Sequence, residues 1–154
     1  MNTKRGWILA AILWMALIFC FTQLPYFTGE KTSEAIQKVV VTEHNAINTP
    51  SADHEEINVL NLIVRKATHV TVFGILALLL FKSLEIYRYS YILSWVLTFL
   101  YAITDEYHQS FMPGRVALFR DVLFDSFGAL LVLSVTFFIG RKRRRNRLVE
   151  YSKI

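Results

Sequence analysis

Acids, amides and bases crowd one stretch of this chain, YAITDEYHQSFMPGRVALFRDVLFDSFGAL, from Tyr101 to Leu130. Asp105, Glu106, His108, Gln109, Arg115, Arg120, Asp121 and Asp125 all fall within it. Three readings fit such a set. Asp105, Glu106 and Asp121 are candidate catalytic groups, able to serve as general acid and base, with Arg115 holding a phosphate or carboxylate. The four carboxylates also offer hard oxygens to a divalent cation, and His69 and His108 offer nitrogen. No H-E-x-x-H or comparable spacing assigns a metal, however, and none is expected. The third reading is that the charges pair with one another and do no more than orient helices. No phosphate-cradling glycine loop and no Ser/His/Asp order appears, so no cofactor is expected.

The polar stretch lies between apolar runs that must hold it in place. The 154-residue chain is 54% hydrophobic, with 12 Phe, 7 Tyr and 3 Trp, and its mean hydropathy is +0.38. A soluble domain of this size would expose too much of that apolar content, whereas a membrane accommodates it. The sequence therefore predicts an all-α membrane bundle of four transmembrane helices, at about residues 7–24, 63–81, 89–108 and 121–139. One transmembrane domain then covers 1–140, and 141–154 forms a basic tail. Lys4 and Arg5 precede the first run, but no A-x-A cleavage site follows it. Phe19 also spoils the resemblance of LIFC to a lipoprotein box, so the first run reads as an uncleaved span. Cys20 is the single cysteine, which excludes an intrachain disulfide.

After Pro25 and Gly29 comes a long polar segment. Ile36, Val39, Val40 and Ile47 share one stripe of a short helix behind Thr32 or Ser33, and Asp53 with Glu56 makes a capping box for a second, with Ile57, Leu60 and Val64 on one face. Together they predict an outer amphipathic helical loop lying on the membrane, the first part of which also reads as a mobile loop. The second helix is expected to run unbroken into the second span. The tail from Arg141 to Arg147 carries six basic residues. Beside an apolar run such a tail anchors topology, and nucleic acid is not an expected partner. Basic residues also mark the amino terminus and the connection from Lys82 to Arg88, so both termini are expected in the cytoplasm of a multi-pass cell-membrane protein.

Counting inward from those basic anchors brings the polar residues to one level. At about 1.5 Å per residue, Lys82 to His69 spans about 20 Å, Arg88 to Asp105 about 26 Å, and Arg141 to Asp125 about 24 Å. In a hydrocarbon layer about 30 Å thick, three helices then present ionisable groups just inside the outer boundary. Asp105 and Gln109 are i,i+4, as are Asp121 and Asp125, while Lys66 and His69 are i,i+3, so each pair shares a helix face. Lys66, Arg115 and Arg120 have the signs to neutralise the four acids. The expected result is an ionic network opening outward, since a charge in the membrane costs about 2.5–3.5 kcal/mol even on the lenient insertion scale. His44 and His54 read as solvated, His108 and Tyr107 as interfacial, and Gly128 as a point of close helix packing.

DEYHQSFMPGR followed by RDVLFDSFGA closely resembles the polar motif of the VanZ-like family of small bacterial membrane proteins. KATHVTVFGILALLL resembles that family's earlier K-x-x-H-x-x-x-F/Y segment. The match spans Lys66 to about Leu131; Val116 to Phe119 is more apolar than the small-polar stretch of the family. The resemblance implies a multi-pass envelope protein associated with resistance to the glycopeptide teicoplanin, without supplying a biochemical activity. By matching positions it marks Lys66, His69, Asp105, Glu106, Gln109, Arg115, Asp121 and Asp125 as the characteristic polar set. The leading expectation is an outward polar pocket that takes membrane lipid, a lipid-linked cell-wall precursor or a glycopeptide. An intramembrane enzyme acting on a lipid phosphate, and a helix-packing partner or transporter subunit without catalysis, are the alternatives.

Overall fold

Long apolar runs with no proline or paired glycine inside them have one stable state in an apolar surrounding, the α-helix, because it satisfies every backbone group within its own segment. The computed structural model describes residues 3–23, 38, 54–112 and 117–151 of the chain. Four long helices appear there: α1 (Thr3–Gln23), α2 (His54–Leu84), α3 (Ser90–Gln109) and α4 (Phe119–Tyr151). No strand occurs among the described residues. The first expected interfacial helix, Asp53 and Arg115 lie outside them.

Three of the four helices, α1, α2 and α4, are long and apolar enough to cross a membrane. The third expected span, α3, falls short on mean composition, and its packing shows why. Its inward face is Ser90, Ser94, Thr98, Ala102, Asp105, Glu106 and Gln109, all buried. The opposite face carries Ile92, Leu93, Val96, Leu97, Leu100 and Ile103, all exposed. The inward hydroxyls are satisfied locally, Ser94 donating to the Ser90 carbonyl and Thr98 to that of Ser94. A small polar stripe lets neighbouring backbones approach closely.

The helix bounds refine the sequence reading. The amphipathic stretch after His54 and the second span are one helix of 31 residues. The fourth helix does not stop at the basic tail but runs 33 residues to Tyr151. Arginine and lysine are good helix formers, and nothing between Gly140 and Tyr151 interrupts the ladder. The connection between α2 and α3 is tight, with Tyr87 N–H donating to the Leu84 carbonyl at 2.8 Å and Ser90 N–H to that of Tyr87 at 3.2 Å.

The hub is α2, which packs against each of the other three helices, while α1 touches α2 and, more lightly, α3. Two polar-tipped aromatics tie α1 down. Trp14 Nε1–H donates to the Val72 carbonyl at 3.0 Å, and the Tyr101 hydroxyl donates to the Met15 carbonyl at 2.6 Å. The core between α2, α3 and α4 has two parts. Phe73, Leu76, Ala102 and Val122 fill the half nearer the polar residues, joined by Ile18 of α1. Ala77, Phe81, Ala129 and Leu133 fill the other, flanked by Tyr91 and Trp95.

At the crossing of α2 and α4 the two backbones meet. A Cβ placed on Gly128 would lie 2.3 Å from the Val70 carbonyl oxygen and 2.8 Å from its Cα. One placed on Gly74 would lie 2.8 Å from Val132 Cγ2. These two glycines set the distance between the helices that carry most of the polar residues.

Candidate functional site

One end of the bundle gathers the polar minority. α2 contributes Lys66 and His69, α3 contributes Asp105, Glu106 and Gln109 from its last turns, and α4 contributes Asp121 and Asp125 from its first. The antiparallel run of α2, α3 and α4 brings these three places together. Helix periodicity turns them inward: Asp105, Glu106, Gln109, Asp121 and Asp125 are all buried, and Asp125 is only 1% exposed.

The contacts cross between helices. Lys66 Nζ forms an ion pair with Asp121 Oδ1 and also lies over the ring of Phe124, 4.8 Å from its centroid. A cation over an aromatic face is held by the ring quadrupole, so Lys66 is engaged on two sides. His69 Nδ1 lies 3.0 Å from Asp125 Oδ1. A carboxylate accepts only, so the ring carries its proton on Nδ1 and donates. Within α3, Gln109 Nε2–H donates to Asp105 Oδ2 at 2.8 Å, which fixes that carboxyl in its buried position.

Glu106 plays a different part. Its Oε1 accepts the backbone N–H of Leu118 at 2.6 Å, immediately before α4 begins. The first N–H groups of a helix have no partner inside it, and a carboxylate there also meets the positive end of the helix dipole. Glu106 thus caps α4 from a neighbouring helix and couples α3 to its start. Asp121, Asp125 and His69 lie near enough to act on its charge. The other oxygen, Oε2, is buried and accepts no hydrogen bond among the described residues.

Of the sequence candidates, seven meet here: Lys66, His69, Asp105, Glu106, Gln109, Asp121 and Asp125. Arg115 lies outside the described residues. Arg120 does not join them. It is exposed and forms no ion pair among the described residues, because helical phase turns it away from the face that carries Asp121 and Asp125. His108 packs against Phe19 at 4.5 Å between ring centroids, and Tyr107 is 66% exposed. Among the described residues no three His, Cys, Asp or Glu side chains are grouped to hold a metal ion.

Sequence reasoning overlooked three contributors. Phe124 has no polar atom and no motif to single it out, so its place over Lys66 required the fold. Trp14 and Tyr101 were more legible, since a ring N–H or O–H buried in an apolar span seeks an acceptor.

No curated protein and no solved structure matches the chain. The sequence model of the VanZ/LLP1 family matches residues 7–140, a range that takes in all four helix cores and every residue of the polar cluster. With most of its length covered and its polar residues drawn together from three helices, this chain belongs to the VanZ/LLP1 family of membrane proteins.

Proposed function

We propose that this protein crosses the cell membrane four times with both termini in the cytoplasm. Its polar cluster then opens outward and binds the head of a lipid-linked or cell-wall-related molecule. Binding there lowers susceptibility to glycopeptides such as teicoplanin. The observation that carries the reading is the convergence of seven polar side chains from three helices at one end of the bundle. Intramembrane ionisable residues are costly, face the bundle interior, and favour a functional site as the default reading. Support for a fourth crossing comes from α3. Its outer face is as apolar as those of its neighbours, and 20 residues at about 1.5 Å each match the hydrocarbon thickness.

One contact favours a second reading. A histidine held through Nδ1 by a buried aspartate presents Nε2 for proton transfer. The His69–Asp125 pair therefore suits an intramembrane enzyme acting on a lipid headgroup, with Asp105, Glu106 and Asp121 as further acids. The two readings part on isosteric neutralisation. Asp125→Asn abolishes turnover and leaves lipid retention intact in an enzyme, whereas a binding module loses retention.

The test of the leading reading is teicoplanin and vancomycin susceptibility of a sensitive Gram-positive host. It compares wild type, Glu106→Gln and Arg115→Ala at equal membrane levels. A shift toward resistance that either substitution abolishes ties the polar cluster to drug response. A shift that survives both removes the cluster from that role, and no wild-type shift removes the resistance role itself.

A further inference from the structure

We propose that the carboxyl-terminal end of α4 holds an anionic phospholipid of the leaflet through which α4 leaves the membrane. Arg141, Lys142 and Arg145 take its phosphate, and Phe138 meets its acyl chains. This site lies at the opposite end of α4 from the polar cluster and does not depend on what that cluster binds.

Length places it. α4 runs 33 residues, about 50 Å, against a hydrocarbon layer about 30 Å thick. From Asp121 to Ile139 is about 27 Å, so the helix leaves the apolar layer near Gly140. The headgroup region adds about 5–7 Å beyond it. Arg141 and Lys142 stand about 4.5 and 6 Å past Phe138 along the axis, inside that region. Side chains on a helix lean toward its amino end, which returns Arg145 toward the same level.

Helical phase turns these residues to the lipid. Phe137 meets Tyr91 edge-on at 5.6 Å between ring centroids, and a Cβ on Gly140 would lie 4.0 Å from the Tyr91 hydroxyl. That side of α4 therefore faces α3. Phe138 and Arg141 each come one position later, about 100° round the helix, and Arg145 follows Arg141 by i,i+4. Phe138 and Leu148 are 65% and 66% exposed. Between these two apolar ends, Arg141, Lys142, Arg144 and Arg145 complete an open cleft of about 540 Å³, within the usual range of ligand sites, about 300–1,000 Å³.

Charge names the ligand. Six of the seven residues from Arg141 to Arg147 are basic, and Glu150 is the only acid after Gly140. None of the six forms an ion pair among the described residues. Glu85, the acid of the α2–α3 connection, pairs with Lys82 at 3.3 Å. Two guanidinium forks on one face match a phosphate in shape and sign. A nucleic acid offers phosphate too, but this cleft begins at a phenylalanine that belongs in the hydrocarbon, which favours lipid.

The full chain is reconstituted in phosphatidylcholine nanodiscs doped with phosphatidylglycerol, at about 0.15 M salt, where attraction beyond about 8 Å is screened. Retained lipid is read by native mass spectrometry. Phosphatidylglycerol is expected to be enriched about tenfold, the factor one charge-assisted hydrogen bond carries. Arg141→Gln with Arg145→Gln removes that enrichment. Arg143→Gln with Arg147→Gln takes the same charge from the opposite face and leaves most of it. Glutamine is a good helix former, so helical content stays that of wild type in both. Equal losses in the two variants reduce the effect to diffuse charge and overturn the site. Competition on the wild type tests it without any variant. Glycerophosphoglycerol, the head without its chains, is expected to leave the lipid in place. Displacement by it assigns the cleft to a soluble phosphate and overturns the lipid, as does retention of a short RNA in the lipid's stead. A wild type that prefers neither lipid refutes the proposal outright.

Discussion

Gly128→Ala adds one methyl group where two backbones already touch. The new Cβ would lie 2.3 Å from the Val70 carbonyl oxygen, 2.8 Å from Val70 Cα and 2.9 Å from its carbonyl carbon. All three atoms belong to the main chain of α2, so no rotamer change relieves the contact. Return to ordinary separation moves α2 and α4 apart by about 1 Å. Overpacking of this kind costs about 1–3 kcal/mol, with the upper end expected where backbone must yield. The site responds too, because Val70 follows His69 and Gly128 lies one turn after Asp125. A comparable displacement carries the 3.0 Å His69–Asp125 contact to about 4 Å, beyond hydrogen-bonding range. Gly74→Ala is the internal control. Its Cβ meets the Val132 side chain at 2.8 Å, so Val132→Ala in the same molecule should restore most of the loss. Reversible unfolding in mixed micelles measures the cost, and the His69 ring resonances report the contact. Gly128→Ala with wild-type stability and unchanged His69 resonances would refute the close crossing and the geometry built on it. So would a Gly74→Ala defect that Val132→Ala leaves untouched.

The remaining expectations concern the ion pair, the first helix and the topology. Asp121→Ala leaves Lys66 without its partner and should cost about 1–3 kcal/mol, whereas Lys66→Met with Asp121→Leu should recover most of it. A double-mutant cycle in the same unfolding assay checks this, and additive single effects would count against the pair. Trp14→Phe and Tyr101→Phe each remove one hydrogen bond from α1 to the rest of the bundle, at about 1 kcal/mol apiece. Faster proteolysis or exchange confined to α1 is the expected signature, and loosening spread through α2 and α4 is not. Fusion of a fluorescent protein or of alkaline phosphatase after Ile154 tests the orientation. Fluorescence without phosphatase activity is expected, and the reverse pattern would place the tail outside.

Much of the molecule was legible before any coordinates, because an apolar solvent simplifies the reading. Long runs without breakers in a chain of this composition had to be helices, and the few charges within them had to turn inward. The i,i+3 and i,i+4 spacing put Lys66 with His69, Asp105 with Gln109, and Asp121 with Asp125 on common faces. The count from the basic anchors brought those faces to one level. Composition sets α3 apart from the other three helices, since hydroxyls packed inward lower its mean hydropathy as surely as hydroxyls facing water.

What the residues along the chain left open was who meets whom. Four acids on two helices were equally plausible partners for Lys66, and Arg115 and Arg120 competed for the same carboxylates. The fold pairs Lys66 with Asp121 and His69 with Asp125, turns Arg120 outward, and gives one Glu106 oxygen to the foot of α4. Those choices depend on the rotation of each helix about its axis and on the distance between axes. Both are set at the crossing of α2 and α4, where Gly74 and Gly128 let main chains meet. Periodicity states which side of a helix is polar; close packing against a second backbone decides which atom that side reaches.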